Sequence, residues 1–169
     1  MAKPTDEIIA LPDFPMPIVQ KIDDEMVESE IVLDQFVENM DKGLILYFYP
    51  RDNTPGCTTQ AVDFTEKLSE FDALGYNIIG VSRDSIESHK KFIENKQLQI
   101  PLISDADEKL CQHFDVIKEK NMYGKKTMGL VRSTFVFDKD GKLTHAQRNL
   151  RAKDYADRLL KTLAEVQSI

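Results

Sequence analysis

Leu44-Ile45-Leu46-Tyr47-Phe48-Tyr49 is an unbroken apolar run. A strand with one face in water alternates apolar and polar side chains, so a run without alternation predicts a strand covered on both faces, as in the middle of an α/β sheet. Pro50 ends it, because proline has no N–H to offer a ladder. From Thr59 onward Ala61, Phe64, Leu68 and Phe71 recur at three and four residues, with Asp63, Glu66, Lys67 and Glu70 between them. That spacing predicts an amphipathic helix ending near Gly75.

The same alternation continues. Ile78-Ile79-Gly80-Val81-Ser82 predicts a second strand, followed by a helical segment from Ser85 to Asn95 with Ile86 and Phe92 among its apolar positions. Pro101-Leu102-Ile103-Ser104 and a helix from about Ala106 to Phe114 make a third unit, and repeated strand and helix pairs imply parallel crossovers. Upstream, Leu11 to Pro15 reads as an irregular lead-in, and Leu33, Phe36, Val37 and Met40 fall at helical spacing before Gly43. Downstream, Ser133 to Phe137 and Leu143 to Arg148 flank Asp138-Lys139-Asp140-Gly141, whose Asp-Gly step signals an antiparallel hairpin. Tyr155, Leu159, Leu163 and Val166 give a closing helix. A mixed central sheet with helices on both faces and a C-terminal hairpin plus helix is the ground plan of an α/β, thioredoxin-like fold. One domain over residues 1–169 is expected, with 1–10 as a flexible tail.

Charge and cysteine usage narrow the partners. With 29 acidic against 22 basic residues the net charge is -7, which repels phosphate backbones and anionic lipid, so neither nucleic acid nor membrane is expected as a partner. No stretch approaches a spanning helix, and Met1 to Ala10 lacks the pattern of a signal peptide, so a cytoplasmic location is expected. In a reducing compartment Cys57 and Cys111 are then chemical or simply buried rather than a structural staple. The histidines, His89, His113 and His145, have no metal-site spacing with them, and neither a metal nor an organic cofactor is expected.

The segment between the buried strand and the first amphipathic helix carries the chemistry: Pro50-Arg51-Asp52-Asn53-Thr54-Pro55-Gly56-Cys57-Thr58-Thr59-Gln60. A cysteine in the first turn of a helix faces orphan backbone N–H groups and the positive end of the dipole, which favour an anionic sulfur. The competing assignment for Cys57 is a small buried hydrophobe, but its neighbours are turn formers and hydroxyl residues, not a core pattern. Taken singly, Thr54 could be a helix cap, and Pro50 and Pro55 simple punctuation.

Together, Pro50, Thr54 and Cys57 match the PxxxTxxC signature of peroxiredoxins, and Phe48-Tyr49-Pro50-Arg51-Asp52-Asn53-Thr54-Pro55-Gly56-Cys57-Thr58 resembles the bacterioferritin comigratory protein, or peroxiredoxin Q, subfamily. The resemblance runs from about Leu11 to the final helix, through Gly80-Val81-Ser82-Arg83-Asp84 and Arg132-Ser133-Thr134-Phe135. It implies a thiol-dependent peroxidase acting on hydrogen peroxide and organic hydroperoxides. Cys57 would be the nucleophile that becomes a sulfenic acid, and Thr54 would hydrogen-bond the thiolate and peroxide oxygen. Arg132 would supply a permanent cation, Pro50 would shield the pocket, and Gln60 would orient the arginine, although an exposed first-turn Gln60 fits the sequence equally. An ordinary cysteine of pKa ~8.5 is already ~3% thiolate at neutral pH, so full ionisation adds only about 2 kcal/mol. One positioned donor contributes about 3 to 4 kcal/mol, so the groups around the sulfur should outweigh its ionisation.

Two features depart from the family pattern. Its resolving cysteine usually lies five residues after the first, where this chain has Val62, or on the helix from Ser85 to Asn95, where Ile93 aligns. That leaves Cys111, whose place beside Leu110 and before Phe114 suits a buried core thiol as well as a resolver. A one-Cys mechanism with an external resolver, such as thioredoxin, glutaredoxin or a small thiol, is the first expectation, and a Cys57–Cys111 disulfide the second. Arg51 and Arg83 are alternative cations for the pocket, and Lys118, Lys120, Lys125 and Lys126 around Tyr123-Gly124 are expected to form a solvated basic loop. Competing functions on the same fold are a disulfide oxidoreductase, disfavoured by the missing second cysteine in Cys57-Thr58-Thr59-Gln60, and a non-catalytic binding module. A monomer or weak homodimer is expected.

Overall fold

The computed structural model describes residues 3–167, apart from the side chains of Lys3, Lys120, Met122, Val166 and Gln167. The first half of the chain runs β1 (Lys3–Pro4), β2 (Met16–Ile22), β3 (Glu25–Ile31), α1 (Leu33–Met40), β4 (Gly43–Phe48), α2 (Pro55–Glu66), α3 (Leu68–Ala73) and β5 (Tyr76–Ser82). The second half adds α4 (Ile86–Lys96), β6 (Leu102–Ser104), α5 (Lys109–His113), β7 (Ile117–Met122), β8 (Lys125–Leu130), β9 (Ser133–Phe137), β10 (Leu143–Arg148) and α6 (Tyr155–Gln167).

Eight strands form one mixed sheet in the order β1-β10-β9-β4-β5-β6-β2-β3. β4, β5 and β6 are parallel to one another, and β9 closes antiparallel against β4. The apolar run is therefore a central strand, and every residue of β4 is buried. Side-chain alternation divides its residues between two cores. Ile45, Tyr47 and Tyr49 point to one face, with Val136, Phe64, Phe71, Phe92, Ile93 and Leu159. Leu44, Leu46 and Phe48 point to the other, with Phe135, Phe137, Leu33, Val37, Leu110 and Phe114. Helices α2, α3, α4 and α6 thus cover the first face, and α1 and α5 the second. Among the described residues, no helix is long and apolar enough to cross a membrane.

Several expectations are corrected. The helix from Thr59 to Gly75 starts earlier, at Pro55, and is two helices broken at Lys67, whose φ of -99° and ψ of 5° leave the helical region. The tail expected over 1–10 contributes a strand, because Lys3 and Pro4 pair with Ala146 and His145; Met1 and Ala2 lie outside the described residues. The basic loop is a two-stranded hairpin, β7 with β8, turned by Tyr123 at φ 53° and Gly124 at φ 78°. A second hairpin, β2 with β3, turns on Asp23 and Asp24, both at positive φ. The side chain of Val166 lies outside the described residues, whereas Tyr155, Leu159 and Leu163 are buried as the helical spacing predicts.

Candidate active site

Cys57 sits where β4 delivers the chain to α2. Thr54 is the N-cap residue, extended at φ -87° and ψ 155°, and Pro55 takes the first helical position, where its missing N–H costs nothing. Thr58 N–H makes the first turn's bond to the Thr54 carbonyl at 2.8 Å. The N–H groups of Gly56 and Cys57 therefore precede the helical ladder and stay free of it, as the first donors of any helix do. Thr54 does not cap with its side chain. Its hydroxyl donates instead to the Arg51 carbonyl at 2.9 Å, which uses its one proton and leaves its oxygen lone pairs as acceptors.

Arg132 reaches the same place from the neighbouring strand. The antiparallel register pairs Ser133 with Phe48, so the residue before β9 lies beside the end of β4 from which the Cys57 loop departs. One guanidinium nitrogen, Nη2, donates to Cys57 Sγ at 3.3 Å, and the other, Nη1, donates to Gln60 Oε1 at 2.6 Å. The planar fork thus spans one turn of α2. Gly56 makes room for it, because a Cβ there would stand 3.1 Å from Nη2. Gln60 is fully buried, not exposed, so the alternative of a solvated first-turn glutamine is ruled out.

Of the other candidate cations, Arg51 is exposed and Arg83 pairs with Glu108 at 3.0 Å. Pro50 is half-buried directly after β4. Tyr47 packs on Phe64, with centroids 4.8 Å apart. Gly80 permits that position, since a Cβ there would lie 2.8 Å from the Tyr47 ring. Burial pushes the Tyr47 phenol well above its ordinary range, the charges of Cys57 and Asp52 add to the rise, and Arg132 opposes it. Tyr47 is therefore a neutral hydroxyl beside the site.

Cys111 lies elsewhere. Cys57 belongs to the core on the α2 face and Cys111 to the core on the α5 face, with the sheet between them. Neither is in a disulfide and both are buried. Asp105 caps α5 by accepting the Leu110 and Cys111 N–H groups at 3.0 and 2.8 Å. Burial first, then the Asp105 carboxylate, push the Cys111 thiol far up from its ordinary value.

Sequence reasoning passed over a polar cluster under the Cys57 loop. Asp52 Oδ1 accepts from the Tyr49 hydroxyl at 2.6 Å, and Oδ2 meets the Ser88 hydroxyl at 2.8 Å and His89 Nδ1 at 2.7 Å. His89 Nε2 lies 2.9 Å from the Ile103 carbonyl. One signal was present: His89 falls three residues from both Ile86 and Phe92, on the apolar stripe of its helix, where a histidine needs partners.

A thioredoxin-like fold that holds a thiol in the first turn of a helix against a fixed guanidinium defines a peroxiredoxin-type, thiol-dependent peroxidase. The chain belongs to the AhpC/TSA family, whose profile matches residues 10–146. Among curated relatives, a peroxiredoxin Bcp of Xanthomonas campestris is 51% identical over 120 residues, 71% of this chain and 75% of that one. A peroxiredoxin Bcp of Bacillus subtilis is 46% identical over 125 residues, 74% of this chain and 80% of that one. A solved bacterioferritin comigratory protein from X. campestris, described in connection with alkyl peroxide reduction, superposes with a TM-score of 0.83 at 40% identity, covering 96% of this chain and 98% of that one. A Cys-to-Ser variant of the Xylella fastidiosa PrxQ gives a TM-score of 0.82 at 32% identity, covering 99% and 96%.

Proposed function

We propose that Cys57 is the peroxidatic residue and that its sulfenic acid is resolved by an external thiol. The Cys57 thiolate attacks the outer oxygen of a hydroperoxide, an S–O bond forms as the O–O bond breaks, and water or an alcohol leaves after its oxygen takes a proton. The observation that carries this reading is the Arg132 fork, 3.3 Å from Sγ at one end and fixed by Gln60 at the other. It presents a permanent cation where negative charge passes from sulfur to the leaving oxygen.

The remaining groups fit around that axis. The Thr54 oxygen, its proton engaged with Arg51, would accept the peroxide O–H, and the free N–H groups of Gly56 and Cys57 would donate to the peroxide oxygens. Pro50 would screen this side of the loop from water. Reduction would then need a second thiol. The sheet standing between the two cysteines, and the uncharged state that burial and Asp105 enforce on Cys111, support an outside reductant: thioredoxin, glutaredoxin or a small thiol. A Cys57–Cys111 bridge would require Cα atoms within ~7 Å, which two residues on opposite faces of one sheet reach only by unfolding.

Alkyl peroxide reduction in the X. campestris homologue favours organic hydroperoxides alongside hydrogen peroxide. A cytoplasmic location is the reading carried over from the sequence, and a monomer or weak homodimer is the expected state in sedimentation. The deciding experiment adds about one equivalent of hydrogen peroxide to reduced protein and follows intact mass for wild type, Cys57→Ser and Cys111→Ser. Gain of oxygen at Cys57, abolished only by Cys57→Ser, is expected. Loss of two hydrogens within one chain would make Cys111 the resolver instead.

A further inference from the structure

We infer that Asp52 and His89 are positioning residues for peroxide attack, holding the loop that carries Thr54 in its reactive shape from outside the helix that carries Cys57. The inference rests on Cys57 being the reacting thiol. Asp52 follows Pro50 by two residues and precedes Thr54 by two, yet its carboxylate turns inward and is 1% exposed against a His89 side chain at 0%. Its three side-chain donors come from the end of the central strand, Tyr49, and from α4, Ser88 and His89. Its N–H donates to Asp84 Oδ2 at 2.9 Å, an oxygen that also receives the Ser82 hydroxyl at 2.6 Å. None of these partners belongs to α2.

Hydrogen-bond counting fixes the partners of the pair. A backbone carbonyl can only accept, so His89 Nε2 carries a hydrogen for Ile103, which leaves Nδ1 to face Asp52 Oδ2 at 2.7 Å. His89 therefore bridges β6 to the loop as a double clamp. A network with each member satisfied inside a low-dielectric core is rigid, and it specifies one geometry more than it adds stability.

What the clamp sets is the residue after it. Asn53 has φ 60°, a left-handed conformation that asparagine tolerates better than most side chains but that still needs holding. The reversal at Asn53 turns Thr54 into the N-cap and directs its carbonyl and hydroxyl oxygens. If Asp52 is released, Asn53 can relax, and the Thr54 oxygen loses its place relative to the Gly56 and Cys57 N–H groups. The sulfur itself, held by α2 and Arg132, stays where it is.

The test separates attack on peroxide from mere reactivity of the thiol. Rapid mixing of the reduced chain with hydrogen peroxide gives one rate at Cys57. Alkylation by iodoacetamide gives another, and that reaction needs no loop oxygen. For Asp52→Asn, His89→Phe and the double variant Asp52→Leu/His89→Leu, which swaps the pair for an apolar one, the peroxide rate is expected to fall about a hundredfold, the scale of an ångström's misplacement. Alkylation should stay within about threefold over the same set. Should these variants fail to fold by circular dichroism, Ser88→Ala and Tyr49→Phe each delete one donor to Asp52, and about a three- to tenfold loss in the peroxide rate alone is expected. An unchanged peroxide rate in folded variants, or parallel loss of both rates, overturns the inference. Failure of the peroxidase assignment looks different, because wild type itself would then react with peroxide no faster than a free thiol.

Discussion

Two cysteines, 1% and 0% exposed, lie on opposite faces of one sheet, and burial alone does not tell them apart. Cys57 is the third residue of α2, and a guanidinium nitrogen stands 3.3 Å from its sulfur. Cys111 is the third residue of the short α5, but there the orphan N–H groups are taken by Asp105, so the charge its sulfur meets is a carboxylate. The same element position meets a nearest fixed charge of opposite sign in the two cases, a guanidinium at Cys57 and a carboxylate at Cys111. The lesson is that a helix start does not by itself set a cysteine's surroundings; what occupies its first-turn donors and which charge stands nearest do.

The sharpest way to break this comparison is to delete each sulfur in turn. Cys57→Ser is expected to lower the rate of peroxide consumption by more than about a thousandfold, and Cys111→Ser to leave it within about twofold when an external thiol is supplied. Comparable losses in both would mean that the sheet does not separate their roles. Next in size is Arg132→Lys. An ammonium keeps the charge but cannot reach Sγ and Gln60 Oε1 together as the fork does, and loss of one donor aimed at developing charge costs about 3 kcal/mol, or a hundredfold or more in rate. A lysine variant with wild-type kcat/KM for peroxide would reduce the guanidinium to a plain counter-charge. Gln60→Ala keeps Arg132 but frees its far end, and about a tenfold loss is expected. Measured beside Arg132→Lys in a double-mutant cycle, the two effects should fall short of adding, because one anchors the other.

The central strand, the parallel units and the Cys57 segment were legible because each rests on local rules: an unbroken apolar run, helical spacing, and a turn-rich loop before a helix start. Arg132 could be found from sequence only through family resemblance, since its partner is 75 residues away and nothing local records the β9–β4 register. The β2–β3 hairpin hid because its outer strand is an edge, Glu25-Met26-Val27-Glu28-Ser29-Glu30-Ile31, and edges carry charge on both faces. The β7–β8 hairpin hid behind lysines for the same reason, and its Tyr123-Gly124 turn lacks the Asn-Gly or Asp-Gly signal. Gln60 was ambiguous for a different cause: one turn of helix offers both a solvent-facing and a site-facing position, and only the arrival of Arg132 decides which is filled.

The smallest effect concerns stability, and it tests the Cys111 half of the comparison without touching catalysis. In the folded chain, burial and Asp105 raise the Cys111 thiol well above its ordinary range, whereas in the unfolded chain it ionises near ~8.5. The raised value makes the folded state the one that keeps the proton. The contribution is therefore complete below ~8.5 and is lost as pH climbs above it, by up to about 1.4 kcal/mol per pH unit. Replacing Cys111 with Ala removes a buried sulfur, at about 1 kcal/mol in neutral solution, but also removes this alkaline penalty. Urea unfolding of wild type and Cys111→Ala should show wild type ahead at neutral pH and its lead gone about one unit above the ordinary thiol value. The buried tyrosines Tyr47, Tyr49 and Tyr155, which burial also raises, are common to both chains and cancel in the difference. A gap that stays constant through that range would mean that Cys111 ionises inside the folded protein, and the contrast between the two thiols would then rest on Arg132 alone.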